Sequence, residues 1–197
     1  MKNTNVLLIT SAQNDLLHSS GKAWEMVRPT VEQNQVPARL ACLAEKARAA
    51  GMVVIHSPIG LDYAAMGGFE PLTVIQKVIL KNRLLASRSS GAEFIKEATP
   101  HAADIVLAPR QGFSAFWARS IQPELERLGV KRIFLAGMLA EACVSSNTRD
   151  AAENGYRPVV ITDAIGSTSP VLLEASLKTM ALHSEALMTM EEAIRNF

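Results

Sequence analysis

Cys143 is one of two cysteines in the sequence, and it lies where a predicted strand ends and a helix begins, a position in which a thiol can act as a nucleophile. It follows the apolar run 134–136, which predicts a buried strand, and Gly137, where a helical pattern begins. A thiol in the first turn of a helix faces unpaired backbone N–H groups and the positive end of the helix dipole, which favour thiolate over thiol. Cys143 is therefore a candidate nucleophile. The alternative is a buried cysteine that packs as a small hydrophobic residue.

Two further polar residues, Ser11 and Arg110, follow predicted strands in the same way. The branched apolar run 6–10 predicts a strand buried on both faces, and Ser11 comes directly after it. Arg110 follows the predicted strand 104–108. The carboxyl ends of parallel strands line the binding crevice of an open α/β sheet, so Ser11, Arg110 and Cys143 are expected to lie close together.

The elements that must position these residues alternate between strand and helix. Further strands are predicted at 52–56, 132–137, 158–163 and 186–189, and helices at 37–50, 91–98, 114–129, 141–154 and 171–183, with a last helix at the end of the chain. This pattern predicts one α/β domain over residues 1–197, with three α/β/α layers and a six-stranded, mainly parallel sheet. Residues 59–90 show no clear pattern and favour either a surface excursion or a lid or oligomer contact.

Composition excludes several classes of protein. Twenty basic and nineteen acidic residues leave a net charge of +1 without a cluster of either sign, so no nucleic-acid partner is expected. No apolar run approaches the ~18 residues of a membrane span, and the first residues lack the pattern of a signal peptide. We expect a cytoplasmic protein with reduced thiols. No Gly-x-Gly-x-x-Gly follows the first strand, which argues against a dinucleotide site.

Four blocks of sequence together form a more specific pattern. They are Leu7–Asp15, Gly91–Glu93 with Pro100, Arg110 with Phe113–Phe116, and Ala136–Val144 with Thr148, Ala151, Ala152, Gly155, Tyr156, Asp163 and Ala164. In this order and spacing the chain resembles the isochorismatase-like superfamily of cysteine hydrolases, which includes nicotinamidases, carbamoylsarcosine amidases and isochorismatases. The resemblance covers nearly the whole chain.

The resemblance implies a triad of Asp, Lys and Cys in which the thiolate attacks an amide carbonyl. The family's Cys falls on Cys143, but its Asp falls on Ser11 and its Lys on Arg110, so two of three positions are changed. The resemblance also implies an oxyanion hole formed by the backbone of Ala142 and Cys143, and a cis peptide bond between Leu139 and Ala140.

The two changes have different consequences. Arg110 keeps a positive charge but hardly releases a proton. Ser11 cannot act as a general base at neutral pH, and such proton transfer contributes about 100-fold to 10000-fold in rate. Five other titratable residues are expected near the crevice, each with a structural role as its first interpretation: Asp15, His56, Asp62, Glu93 and Glu141.

Two activities of the family are disfavoured. Isochorismatase chemistry, the cleavage of a vinyl ether, depends on the Asp that is absent here. A nicotinamidase-type metal site needs an Asp and two His, but the chain after the second strand offers only His56 and Asp62. We therefore expect no metal and no cofactor.

The leading hypothesis is a hydrolase that acts on the C–N bond of a small amide through Cys143, Arg110 and Ser11. The predicted substrate pocket includes Phe113, Phe116, Trp117 and His56, although aromatic residues at the start of a helix also serve as core. The alternative is a family member without catalysis that binds small molecules or acts as a scaffold. The resemblance further implies a homodimer or homotetramer.

Overall fold

The computed structural model describes residues 5–64, 73–117 and 121–197, and its centre is a parallel sheet. Its strands are β1 (Asn5–Thr10), β2 (Val53–Ser57), β3 (Ile105–Val106), β4 (Arg132–Gly137), β5 (Arg157–Ile165) and β6 (Ala186–Met188). They are ordered β3-β2-β1-β4-β5-β6, and every neighbouring pair runs parallel. The predicted six-stranded parallel sheet is confirmed.

Helices cover both faces of this sheet. They are α1 (Asn14–Leu17), α2 (Trp24–Gln33), α3 (Val36–Ala49), α4 (Val74–Asn82), α5 (Gln122–Leu128), α6 (Ser145–Glu153), α7 (Pro170–Met180) and α8 (Met190–Arg195). Alternate residues of β1 enter two separate cores: Leu7 and Ile9 pack with α3, whereas Val6 and Leu8 pack with α5 and α6. Burial on both faces explains why this strand is apolar at nearly every position.

The position of the crevice follows from the strand order. The chain adds β2 and β3 on one side of β1 and then returns to place β4 on the other side. Thr10 at the end of β1 is paired with Gly137 at the end of β4. Ligands of open α/β sheets bind where the strand order reverses in this way, so the crevice lies at the carboxyl ends of β1 and β4.

Two predicted helices differ from the structure. Residues 91–98 form two short 3-10 turns, Ser90–Ala92 and Lys96–Ala98, instead of one helix. The chain between these turns pairs with the residues that follow β1: Phe94 forms a bridge with Gln13, and the Ile95 N–H donates to Ala12 O. Backbone groups used in this pairing are not free to form helical hydrogen bonds.

The helix predicted from residue 114 begins later, as α5. Ser114 Oγ accepts the Phe116 N–H at 3.1 Å, but this closes a turn and not a long helix. α5 starts at Gln122 with a proline in its first turn, a position that proline favours.

The segment 59–90 contains α4, which starts at a capping box formed by Thr73 and Gln76. An isolated bridge between Ile59 and Arg110 ties the start of this segment to the rest of the fold, and a second bridge within the segment pairs Leu61 with Ala86. Residues 65–72 lie outside the described part of the chain. No helix among the described residues is long and apolar enough to span a membrane.

Candidate active site

Ser11, Arg110 and Cys143 meet at the carboxyl ends of the central strands. Ser11 Oγ donates a hydrogen bond to Cys143 Sγ at 3.4 Å, and Arg110 Nη2 donates to Ser11 Oγ at 2.8 Å. At most 3% of each residue is exposed to solvent. The three residues expected from strand ends to lie together therefore form a buried chain of contacts, in which a cation polarises the hydroxyl that points at the sulfur.

The backbone of the two central strands comes close enough to shape this cluster. Gly137 has φ +112°, and a Cβ at this position would lie 2.1 Å from Thr10 O. Only glycine fits such a close approach in this conformation. Ser11 also has a positive φ of 53°, which turns its side chain out of the strand direction at the point where β1 ends.

Arg110 uses every one of its donors within the protein. Nε donates to Phe113 O at 3.2 Å, Nη2 to Thr10 Oγ1 and Ser11 Oγ, both at 2.8 Å, and Nη1 to both oxygens of Ser57. A guanidinium has five N–H groups, so none is left for a ligand.

The charge of Arg110 has no carboxylate partner among the described residues. Burial lowers the pKa of Arg110, and the negative charge of a Cys143 thiolate opposes this effect. The groups that accept hydrogen bonds from Arg110 are neutral oxygens, which spread its charge without neutralising it.

Cys143 lies in a π-helical turn, Ala140–Val144, that leads into α6. Within this turn the Ala142 N–H, one of the two expected oxyanion-hole donors, already donates to Leu139 O at 3.2 Å. The cis peptide bond lies between Met138 and Leu139, so the bond expected at Leu139–Ala140 was placed one residue too late.

A cavity of about 340 Å³ opens onto Cys143, and its walls are almost entirely apolar. We refer to it as the Cys143 cavity. α2, α4 and α7 contribute to its walls, as do the turns after β1, β2 and β4. The described lining residues are Leu16, Ala23, Met26, Val27, Ile59, Val74, Ile75, Val78, Ile79, Leu84, Leu85, Phe113, Leu139, Glu141, Ala142, Cys143, Thr168 and Leu172.

Comparison with known proteins agrees with this fold. The sequence model described as the isochorismatase domain matches residues 5–192. The chain belongs to the isochorismatase domain family. A crystal structure of an isochorismatase family protein from Desulfovibrio vulgaris is 27% identical, covers 98% of this chain and 97% of its own, and superimposes with a TM-score of 0.80.

Two curated relatives have names that state an activity. Maleamate amidohydrolase of Pseudomonas putida is 27% identical over 79% of this chain and 71% of its own length. Ureidoacrylate amidohydrolase of Klebsiella pneumoniae is 30% identical over 65% of this chain. The match spans 58% of that second relative, which is less than two thirds of its length.

Of the aromatic residues predicted for the pocket of this isochorismatase-domain protein, Phe113 lines the Cys143 cavity. Phe116 does not, because it is buried in the core with Tyr156, at 6.0 Å between ring centroids. Trp117 does not line the cavity either, and 54% of it is exposed. Phe113, Phe116 and Trp117 instead line a second, shallower pocket together with Arg149 and Asp150 of α6, away from Cys143.

His56, also predicted for the pocket, is fully buried elsewhere. Its Nε2 lies 3.0 Å from Asp104 Oδ2, and Asp104 forms two hydrogen bonds with Arg48. Burial lowers the pKa of His56 despite this carboxylate. Burial would raise the pKa of Asp104, but hydrogen bonds from Arg48, the His101 N–H and His56 outweigh it and bring the pKa to about 2. The group holds the edge strand β3 and does not reach Cys143.

The carboxylates expected near the crevice have structural partners. Asp15 accepts the Leu85 N–H at 2.7 Å and the Lys22 N–H at 3.3 Å, which ties α1 to the chain after α4. Asp62 accepts the Ala64 N–H, and Glu93 is exposed. No group of three or more His, Cys, Asp or Glu side chains in the described ranges is placed to hold a metal ion.

Glu141 differs from these carboxylates, because one of its oxygens is buried without a hydrogen-bond donor among the described residues. Oε1 accepts the N–H and the hydroxyl of Thr168, at 2.9 and 2.5 Å. Oε2 is buried, and no described residue donates to it.

Sequence reasoning missed three supporting residues: Thr10, Ser57 and Thr168. Thr10 and Ser57 are polar residues at the ends of apolar strands, a pattern that could have identified them as ligands of Arg110. No local pattern marks Thr168, because its partner Glu141 is distant in the chain.

Proposed function

We propose that this protein hydrolyses a carbon–nitrogen bond of a small amide, with Cys143 as the nucleophile. The observation that carries the proposal is the buried contact chain from Arg110 through Ser11 to Cys143 Sγ, at the floor of a cavity large enough for a small molecule. The two curated relatives are named as amidohydrolases, which supports a C–N bond as the target.

In the proposed reaction the Cys143 sulfur forms a bond to the amide carbonyl carbon, and the C–N bond then breaks. The leaving nitrogen takes a proton and departs as ammonia or an amine, which leaves an acyl thioester on Cys143. Water then adds to the thioester carbonyl, and cleavage of the C–S bond gives a carboxylate and restores the thiolate. The net reaction consumes one amide and one water.

Arg110 and Ser11 support the sulfur but do not exchange its proton. Arg110 supplies fixed positive charge, and the Ser11 hydroxyl donates to the sulfur. Because neither is a base at neutral pH, protons move through water in this proposal. Turnover is then about 100-fold to 10000-fold slower than with a general base at position 11.

A second candidate function is small-molecule binding without catalysis. It is favoured by one observation: no described carboxylate or imidazole is hydrogen-bonded to Cys143 Sγ. In this case the Cys143 cavity binds its ligand, and the thiol is part of the wall.

Ammonia release from a panel of primary amides separates the two functions. The wild type is compared with Cys143→Ala, and Cys42→Ala is the matched control, since Cys42 is the other free cysteine and lies in α3. We expect turnover in the wild type and Cys42→Ala, and none in Cys143→Ala. Mass spectrometry should also detect an acyl group on Cys143 after rapid quenching. Equal turnover in wild type and Cys143→Ala contradicts the proposed nucleophile, and no turnover in any protein favours binding alone.

Location and assembly are further proposals: location, domain count and partners rest on length and composition, and the oligomeric state rests on the family resemblance. We propose a cytoplasmic protein of one domain that forms a homodimer or homotetramer, without nucleic-acid or membrane partners. Light scattering coupled to size-exclusion chromatography measures the mass in solution, and a monomer would contradict this assembly.

A further inference from the structure

We infer that the substrate of the Cys143 cavity is a neutral amide with an apolar acyl group. This inference rests on the proposed function, because it names the substrate class for the same thiol. It follows from two properties of the site: the apolar chemistry of the cavity walls, and the use of every N–H group of Arg110 within the protein.

The walls exclude a charged acyl group. The described lining residues include no Lys, Arg or His, and Glu141 is the one acidic residue among them. A carboxylate moved from water into such a cavity loses its hydration and gains no cation. It is also repelled by the Glu141 carboxylate, whereas burial of an alkyl or aryl group is favourable for each buried carbon.

The nearest buried cation cannot compensate for this. Arg110 is absent from the cavity lining, and its five N–H groups already have five acceptors on Thr10, Ser11, Ser57 and Phe113. A substrate carboxylate would have to displace one of these buried partners, which would leave that oxygen unsatisfied. Arg110 therefore supports the Cys143 thiol through Ser11 and does not bind a carboxylate on the acyl group of a substrate.

Matched substrates test the acyl group. Hexanamide and adipamate have the same chain length, but adipamate ends in a carboxylate where hexanamide has a methyl group. We expect kcat/KM for hexanamide to exceed that for adipamate by about 100-fold. Along the series acetamide, butanamide and hexanamide, kcat/KM should rise by about fourfold for each added methylene.

A charge placed on the cavity wall tests the cause of this preference. Leu172→Lys adds an ammonium at a lining residue of α7 that is 43% exposed, and the hexanamide-to-adipamate ratio should fall by about tenfold. Val171→Lys is the matched control, because Val171 is the neighbouring residue, is 76% exposed and does not line the cavity. Its ratio should stay within about twofold of the wild type.

Calorimetric binding to Cys143→Ala separates this inference from the proposed function. Tighter binding of hexanamide than of adipamate, without turnover in the wild type, supports the substrate class and contradicts the hydrolase. Turnover in which adipamate equals or exceeds hexanamide supports the hydrolase and overturns the inference. Binding of neither amide, together with no turnover of either, also overturns the inference.

Discussion

The replacement Ser11→Asp tests whether position 11 limits the rate of this site. The Ser11 oxygen is 3.4 Å from Cys143 Sγ and 2.8 Å from Arg110 Nη2. In Asp the carboxyl carbon takes nearly the place of that oxygen, and the two carboxylate oxygens lie about 1.2 Å beyond it. They therefore reach both the sulfur and the guanidinium, which gives the thiol a proton acceptor and Arg110 a charged partner.

The expected gain in kcat/KM is about 100-fold to 10000-fold, the usual contribution of a positioned general base. It corresponds to about 3–5 kcal/mol in activation free energy, at 1.36 kcal/mol for each factor of ten. The larger side chain must fit a position with no exposed surface, and such overpacking costs about 1–3 kcal/mol of stability. The new ion pair with Arg110 opposes that loss.

Ser11→Asn is the matched control, because Asn has nearly the size of Asp but neither its charge nor its basicity. Steady-state ammonia release from hexanamide is measured for wild type, Ser11→Asp and Ser11→Asn, with thermal unfolding as a check on folding. If both variants change the rate equally, the missing base is not what limits turnover. If Ser11→Asp folds but stays at the wild-type rate, the reasoning about position 11 is refuted.

Three further predictions concern stability. Arg110→Met should lower the free energy of unfolding in urea by about 2–3 kcal/mol, since buried oxygens lose their donor, and Arg110→Lys should recover only part of this loss. Asp104, with a pKa of about 2 against 3.8, stabilises the fold above pH about 4, and this contribution of about 2 kcal/mol is lost as the pH falls through about 2. Because the pKa of His56 is lowered in the folded state, the unfolded state binds a proton first as the pH falls, so the free energy of unfolding also decreases below pH 6.5. Urea unfolding midpoints measured against pH check both effects. Asp104→Asn should flatten the part of this curve at acidic pH. Gly91→Ala should lower the thermal midpoint and cost about 1–3 kcal/mol, because its Cβ would lie 2.4 Å from atoms of the Asp15 carboxylate, and an unchanged midpoint would contradict this contact.

The sheet and the meeting of three side chains could be predicted from sequence because both depend on short-range patterns. The apolar runs of β1 and β4 identify buried parallel strands, and the rule that loops at strand ends converge then brings Ser11, Arg110 and Cys143 together. None of these steps requires knowledge of which helix packs on which face.

The cavity walls could not be predicted in the same way, because they come from elements far apart in the chain. α2, α4 and α7 supply single faces to the cavity, and no local pattern shows that these faces converge. His56 illustrates a second limit: a strand that is buried on both faces gives no alternation to tell which side a residue occupies. The helix prediction for residues 91–98 is wrong for a third reason, because the pairing of this segment with residues 12–14 overrides its helical propensity.

The residues at positions 11 and 110 are best understood as one linked change. A buried cation opposite a serine has no carboxylate to neutralise it, so its charge must be spread over neutral oxygens. Lysine has three donors at one point, whereas arginine has five in a planar fork, and the structure uses all five on Thr10, Ser11, Ser57 and Phe113. Loss of the acid at position 11 thus favours arginine at position 110. It follows that Ser11→Asp and Arg110→Lys should be strongly non-additive: the lysine is poorly satisfied beside serine, but better tolerated beside aspartate.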